Sequence, residues 1–331
     1  MPLLSAANPY AVEIGRRSFR VFRHAIPKFD AAPHREPADQ RSDLNQSAKM
    51  TLGRVVRIAM GQMLVEGGEP ERNLLRAEQM IDQGAKLGAD IVLLPECLDL
   101  AWTHPSALTE AMPIPGPRSD RLIAFAKRNG VYVCAGLTEK DGDRVYNSAI
   151  FADPHGTLLL KYRKINLLHI GHRFYSVGKS LSIVETPLGN IGVNICSDNY
   201  ADSLELGHTL ARMGAQLILS PSSWTVDFSV TEDNEEYRDK WLKPYHTLAS
   251  LYNLVIASVT AVGVIVGGPY EGKKMVGCSL VVGEKGVIYR GKYNEFAGTM
   301  NLVDFEMPPE HEKGTLIGDM LRRKGYGFSY A

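Results

Sequence analysis

The sequence predicts an α/β fold, a mixed sheet covered by helices, on three observations. From Val55 onward, short apolar runs alternate with amphipathic stretches of helical period. Midway along the chain that alternation gives way to strand, turn and strand, the spacing of hairpins rather than crossovers. No internal repeat and no low-complexity linker interrupts the pattern after residue 54. One domain is therefore expected over residues 54–305, with an N-terminal arm at 1–53 and a C-terminal tail at 306–331.

The arm carries five prolines, six arginines and a polar run from His34 to Lys49 without a sustained period, the composition of a poorly ordered segment. VVRIAMGQM (Val55 to Met63) opens the regular part as a strand. Leu74, Ala77, Ile81 and Ala85 then mark one face of a helix closing near Gly88, which leads into the strand IVLLP ending at Pro95. The next unit repeats this, with Ser119 as the expected N-cap, Gly130 as the stop and VYVCAG (Val131 to Gly136) as the strand. YNSAIFA, DPHG and TLLLKY (Tyr146 to Tyr162) form the first predicted hairpin. LSIVET and NIGVNIC form the second, around Pro187-Leu188-Gly189-Asn190. Beyond Cys196 the pattern gives a helix around Leu204 to Met213, the strand QLILSP (Gln216 to Pro221) and a long helix to about Tyr252. Strands follow at Leu254 to Thr260, Val276 to Gly283 and Gly298 to Val303.

Composition narrows the function classes. The 331 residues are 44% hydrophobic and carry 37 basic against 37 acidic side chains, so no excess field recruits nucleic acid or an anionic membrane. No apolar run is long enough to span a bilayer. Arg16 to Phe22 reads RRSFRVF, similar to a twin-arginine export signal, but Arg23, His24, Lys28 and Asp30 stand where an apolar region should follow. Cys97, Cys134, Cys196 and Cys278 lack CxxC spacing, which argues against a zinc cage or a disulfide framework. They read as reduced thiols of a cytoplasmic protein whose partners are small molecules or further copies of itself.

Three residues stand out as candidates for chemistry. Along IGVNIC, Ile191, Val193 and Ile195 share one face, which leaves Cys196 off the apolar stripe beside Asn194. Ser197, Asp198 and Asn199 follow as expected caps of the next helix, whose N-terminus would favour a thiolate at Cys196; a free cysteine is equally at home in a core. Glu96 ends the apolar run IVLLPE at the carboxyl end of a predicted parallel strand, where open α/β sheets build sites and where solvated glutamates are also ordinary. Lys164 closes a basic trio with Lys161 and Arg163 before the chain turns apolar again. That return could draw it inward, although most lysines in such runs are solvated.

LLPE, KYRKIN and NICSD, in that order, resemble the glutamate, lysine and cysteine motifs of the nitrilase superfamily of carbon-nitrogen hydrolases. RIAMGQM, the hairpin YNSAIFADPHGTLLLKYRK and GAQLILSPSSW match it as well, and the likeness runs from about Arg57 to Val303. The motifs lie 68 residues apart from Glu96 to Lys164 and 32 from Lys164 to Cys196. The resemblance implies a four-layer α-β-β-α sandwich, commonly paired into a homo-oligomer. It implies a Glu96-Lys164-Cys196 triad that hydrolyses a small amide or N-carbamoyl compound through a thioester and releases ammonia or an amine. The oxyanion would be held by Lys164 and the Ser197 backbone N–H, and no metal or organic cofactor is required.

The departures from the family pattern shape the expectation. Amidases of this superfamily often carry a second glutamate about eight residues beyond the lysine, where this chain has His172 and Arg173. His172 is thus either an orienting partner or a surface histidine. The family's Glu-Asn before a later strand is here Tyr252-Asn253. True nitrilases usually follow the cysteine with Trp-Glu, whereas Ser197-Asp198 suits the amidase and carbamoylase branches. Trp102, His104 and Trp224 are candidates for the acyl pocket, with packing roles as the alternative. Nitrile hydrolysis, acyl transfer and a catalytically impaired binding or assembly protein on the same fold remain the competing readings.

Overall fold

The computed structural model describes residues 53–231, 236–293, 296–310 and 313. The arm, its twin-arginine-like stretch and most of the tail lie outside the described residues.

In chain order the elements are β1 (Val55–Gln62), α1 (Pro70–Lys86), β2 (Ile91–Leu93), α2 (Ala107–Glu110), α3 (Pro117–Asn129), β3 (Tyr132–Asp141), β4 (Arg144–Ala152), β5 (Leu158–Arg163), β6 (Ile183–Thr186) and β7 (Gly189–Val193). They continue with α4 (Leu204–Met213), β8 (Leu217–Ser222), β9 (Thr225–Val226), α5 (Glu236–Tyr252), β10 (Val255–Thr260), β11 (Val262–Val264), β12 (Lys274–Val276), β13 (Leu280–Gly283), β14 (Gly286–Arg290) and β15 (Thr299–Glu306).

Two six-stranded sheets form the centre, in the orders β15-β1-β2-β3-β4-β5 and β14-β13-β10-β8-β7-β6, beside a small sheet β11-β12-β9. Both large sheets are mixed. β1, β2 and β3 run parallel, as do β7, β8 and β10, while the hairpins add antiparallel strands at the edges.

Period-two alternation sorts side chains between the layers. Ile58, Met60, Ile91, Leu93, Phe151, Leu160 and Tyr162 point into one buried cluster with Ile191, Val193 and Leu219 of the second sheet. Ala59, Val92, Leu94, Val133 and Ala135 point the other way, onto Leu74, Ala77 and Ile81 of α1 and Leu122 and Ala126 of α3. α4 and α5 cover the second sheet with Leu210, Ala211, Trp241, Tyr245 and Leu248. The layers are therefore helix, sheet, sheet and helix, the sandwich implied by the family resemblance.

Several elements differ from the sequence expectations. α3 begins at Pro117, whose fixed φ suits the first helical position, with Gly116 as the N-cap. Ser119 sits inside the first turn, where its Oγ accepts the Gly116 N–H at 2.9 Å. The run Val276 to Gly283 is two strands in different sheets, broken where Gly277 and Cys278 adopt φ of 72° and 61°. β9, β11 and β14 were not anticipated; each is short or half exposed, so no apolar alternation announces it. The strand expected to run to Cys196 stops at Val193, and Ser197, Asp198 and Asn199, expected as helix caps, lie in a 3₁₀ turn; α4 itself spans Leu204–Met213 as expected.

Two glycines allow the chain to close around the strand ends. A Cβ on Gly136 of β3 would sit 2.5 Å from the Glu96 Cα and 2.8 Å from the Pro95 carbonyl oxygen, and one on Gly178 would sit 1.9 Å from the Arg163 carbonyl oxygen. Gly136→Ala should therefore destabilise the protein by about 1–3 kcal/mol, the usual cost of overpacking, and displace Glu96 with its backbone. A urea midpoint equal to wild type would refute the close approach.

Candidate active site

Glu96, Lys164 and Cys196 arrive at one place from three strand ends. Glu96 lies three residues past β2, in a loop stitched to the second sheet by Glu96 N–H to the Ser222 carbonyl at 3.3 Å and by Ser223 Oγ to the Glu96 carbonyl at 3.3 Å. Lys164 follows β5, one step beyond the inward row Leu160 and Tyr162. Its neighbours Lys161 and Arg163 point to the opposite face, where both bond the buried carboxylate of Glu139. The pleat thus separates one lysine from the basic trio and delivers it to the space between the sheets.

Lys164 Nζ lies 2.7 Å from Glu96 Oε1, and the two residues are 2% and 0% exposed. Asn147 Nδ2 donates to the same oxygen at 2.6 Å. Glu96 Oε2 is buried with no hydrogen-bond partner among the described residues. Two donors therefore fix one carboxylate oxygen and leave the other able to take a proton.

Cys196 occupies the first position of a single 3₁₀ turn, Cys196–Asn199, in the left-handed region at φ 48°. A side chain there is strained. Burial pushes its thiol up, the Glu96 charge adds to this, and the Lys164 ammonium and the Ser223 N–H pull it down; the outcome is about 12. Burial, the largest of these effects, works against the thiolate that a helix start would favour, and no α-helix begins at the cysteine. Burial opposes the Lys164 charge, but Glu96, Cys196 and Asp198 outweigh it and hold the ammonium above its ordinary range.

The resting state is thus a thiol beside a carboxylate-ammonium pair. Because its folded pKa lies above the ordinary 9.0, the thiol's contribution to stability is complete below about pH 9 and is lost as pH rises through about 12. Wild type minus Cys196→Ala should show no thiolate ultraviolet absorbance at pH 7 to 9, and wild-type stability should fall more steeply than the variant's in alkali. Thiolate absorbance at neutral pH would contradict the arrangement.

Asp198 ties the lysine loop to the cysteine loop. It accepts Tyr162 Oη–H at 2.8 Å, the Ile195 N–H at 2.9 Å and the Asn166 N–H at 2.7 Å. Asn166 Nδ2 also donates to the Ser197 carbonyl, and Ser197 Oγ donates to the Asn166 carbonyl, both at 2.7 Å. Asn147, Tyr162, Asn166 and Asp198 went unnamed as site residues because each is an ordinary polar residue in sequence; only Asp198 carried a signal, as a branch marker.

The pocket candidates separate. Trp102 is buried and stacks on Tyr270 with ring centroids 5.5 Å apart. Trp224 is buried against Trp241 at 4.4 Å, and Trp241 meets Tyr200 at 4.8 Å. Burial, Cys196 and Glu96 all raise the Tyr200 hydroxyl, which puts that aromatic row within the electrostatic reach of the site. His104 is half-buried and bonds Ser106 Oγ through Nδ1 at 2.7 Å. His172 is exposed in the 3₁₀ helix His169–Arg173. Tyr252 Oη meets His208 Nδ1 at 2.6 Å, a contact between α5 and α4.

A sandwich with these three side chains at its strand ends defines the class of protein. Residues 57–307 match the family model for carbon-nitrogen hydrolases, and the chain belongs to that family. It is 34% identical over 180 residues to a nitrilase of Pyrococcus abyssi, a match covering 53% of this chain and 68% of that one. It is 36% identical over 181 residues to the omega-amidase NIT2 of Xenopus tropicalis, covering 51% of this chain and 64% of that one, so the match spans just under two thirds of the omega-amidase. Among solved structures, the amidase from Nesterenkonia sp. AN1 in complex with butyramide superposes with a TM-score of 0.65 at 19% identity, over 81% of this chain and 93% of that one. At that identity the likeness speaks for the fold.

Proposed function

We propose that the protein hydrolyses the carbon-nitrogen bond of a small amide or N-carbamoyl compound through a thioester on Cys196. The observation that carries this is the buried Lys164 to Glu96 contact at 2.7 Å with the second carboxylate oxygen left open beside a cysteine. Burial raises the thiol, so in this reading its proton leaves as the sulfur–carbon bond forms. The sulfur attacks the carbonyl carbon while Glu96 takes the thiol proton. Lys164 Nζ and the Ser197 N–H receive the oxyanion, each such donor being worth about 2.7–4 kcal/mol of barrier. Collapse of the adduct breaks the C–N bond, and Glu96 passes its proton to the departing nitrogen. Water then attacks the thioester, Glu96 accepting its proton and returning it to the sulfur. This route calls on no cofactor.

Trp102 and Trp224 bound the acyl side in this reading, and His172, exposed, takes no part. Ser197-Asp198 favours the amide over the nitrile branch. Among the described residues the four cysteines are free and no helix is long and apolar enough to cross a membrane, which supports a cytoplasmic setting. The balanced net charge supports small-molecule partners and a homo-oligomer over nucleic acid. Residues 54–305 serve as the catalytic domain, with the arm and tail as appendages.

The test is incubation with panels of small amides, N-carbamoyl amino acids and nitriles, followed by intact mass and ammonia assay. Adducts of acyl mass on Cys196 from amides or carbamoyl compounds are expected. Adducts from nitriles alone would move the protein to that branch, and none from any panel would favour a binding protein on this fold.

A further inference from the structure

β7 leaves its sheet just before the cysteine. Its ladder with β8 ends at Val193 opposite Leu219, and the Asn194 N–H makes a last bond to the Leu219 carbonyl at 3.2 Å. Beyond Asn194 the strand ladder ends among the described residues, yet the chain must hold Cys196 buried in a left-handed conformation. Glycine would adopt that conformation freely; cysteine will not without help. The buried Cys196 N–H also needs an acceptor.

Ser220 supplies it. This residue of β8 is fully buried, and its Oγ accepts the Cys196 N–H at 3.2 Å and Asn199 Nδ2–H at 2.9 Å. Asn199 in turn exchanges two hydrogen bonds with Asn194, Asn194 Nδ2 to Asn199 Oδ1 at 2.7 Å and Asn199 Nδ2 to Asn194 Oδ1 at 2.9 Å. The two asparagines flank the cysteine in sequence, and both are fully buried. The bend's own amide and Asn199 thus meet at one serine hydroxyl in the next strand, and Asn194 is tied to that hydroxyl through Asn199. The set involves neither Glu96 nor Lys164 and bonds the cysteine through its backbone N–H.

We infer that Ser220, braced by the Asn194-Asn199 pair, is a positioning residue that holds Cys196 in its left-handed bend and so aims the sulfur between Glu96 and Lys164. This rests on Cys196 being the nucleophile. Loss of the acceptor frees the bend to relax toward right-handed φ, which swings the Cβ–Sγ bond; displacements of about an ångström at a reacting atom cost on the order of a hundredfold.

The experiment compares wild type, Ser220→Ala, Ser220→Thr, Asn199→Leu and Cys196→Ala in full-length protein. It measures the rate of Cys196 alkylation by iodoacetamide at pH 7, turnover of the best amide from the panel, and thermal midpoints. Ser220→Ala should slow alkylation and kcat together by about ten- to a hundredfold and leave KM within about twofold. Ser220→Thr, which keeps the hydroxyl, should recover most of both. Asn199→Leu should lie between. Wild-type alkylation and kcat in a folded Ser220→Ala protein would overturn the inference even if its thermal midpoint fell, because that is the signature of packing alone. Wild-type turnover in Cys196→Ala would instead remove the nucleophile reading beneath it.

Discussion

Cys196→Ala is expected to lower turnover of any accepted amide by about ten-thousandfold or more and to leave the unfolding midpoint nearly unchanged. Both halves follow from how the cysteine is held. Its backbone N–H is bound by Ser220 and the following turn by Asp198, none of which involves sulfur. Alanine keeps all of these contacts. What alanine lacks is the atom that forms the acyl bond, and neither Glu96 nor Lys164 can stand in, since each is already engaged with the other. Ammonia release and circular dichroism on the same preparation decide it: wild-type release from the variant removes Cys196 from the mechanism.

Lys164→Met is expected to cost about 3–5 kcal/mol of stability in addition to activity, because it strands a fully buried carboxylate whose remaining donor is Asn147. The pair Glu96→Gln with Lys164→Met removes both charges while keeping similar volumes, and most of the lost stability should return with no return of activity. Urea unfolding of the two single variants and the double variant measures this. Additive effects, or a Lys164→Met cost below about 1 kcal/mol, would show that the contact carries little weight in the fold.

The sandwich was legible where apolar residues keep a period. Leu74, Ala77 and Ile81 announced their helix, and the rows ending at Leu94 and Ile195 announced their strands, because burial demands the pattern. Elements without that demand were silent, such as β14, whose Val287 and Ile288 are 40% and 43% exposed. Glu96, Lys164 and Cys196 stand out in the sequence as candidates, yet their environments cannot be read there. Lys161, Arg163 and Lys164 look alike in sequence, and pairing with β4 sends the last one inward. The helix start expected to favour a thiolate lies eight residues beyond Cys196, with two 3₁₀ turns between them. Asn147, Tyr162, Asn199 and Ser220 acquire their roles through partners between 5 and 51 positions away, which no local pattern carries.

The first sheet closes with β15, antiparallel to β1 and joined to it from Val55 opposite Glu306 to Gln62 opposite Thr299. A chain emerging from the ribosome therefore exposes one flank of β1 until Thr299–Glu306 has been synthesised, and the long loop so closed makes assembly slow. A product ending before Thr299 would keep that flank bare, with Ile58 and Met60 alongside, and would be prone to pair with other nascent chains. β15 thus acts as an escort for β1.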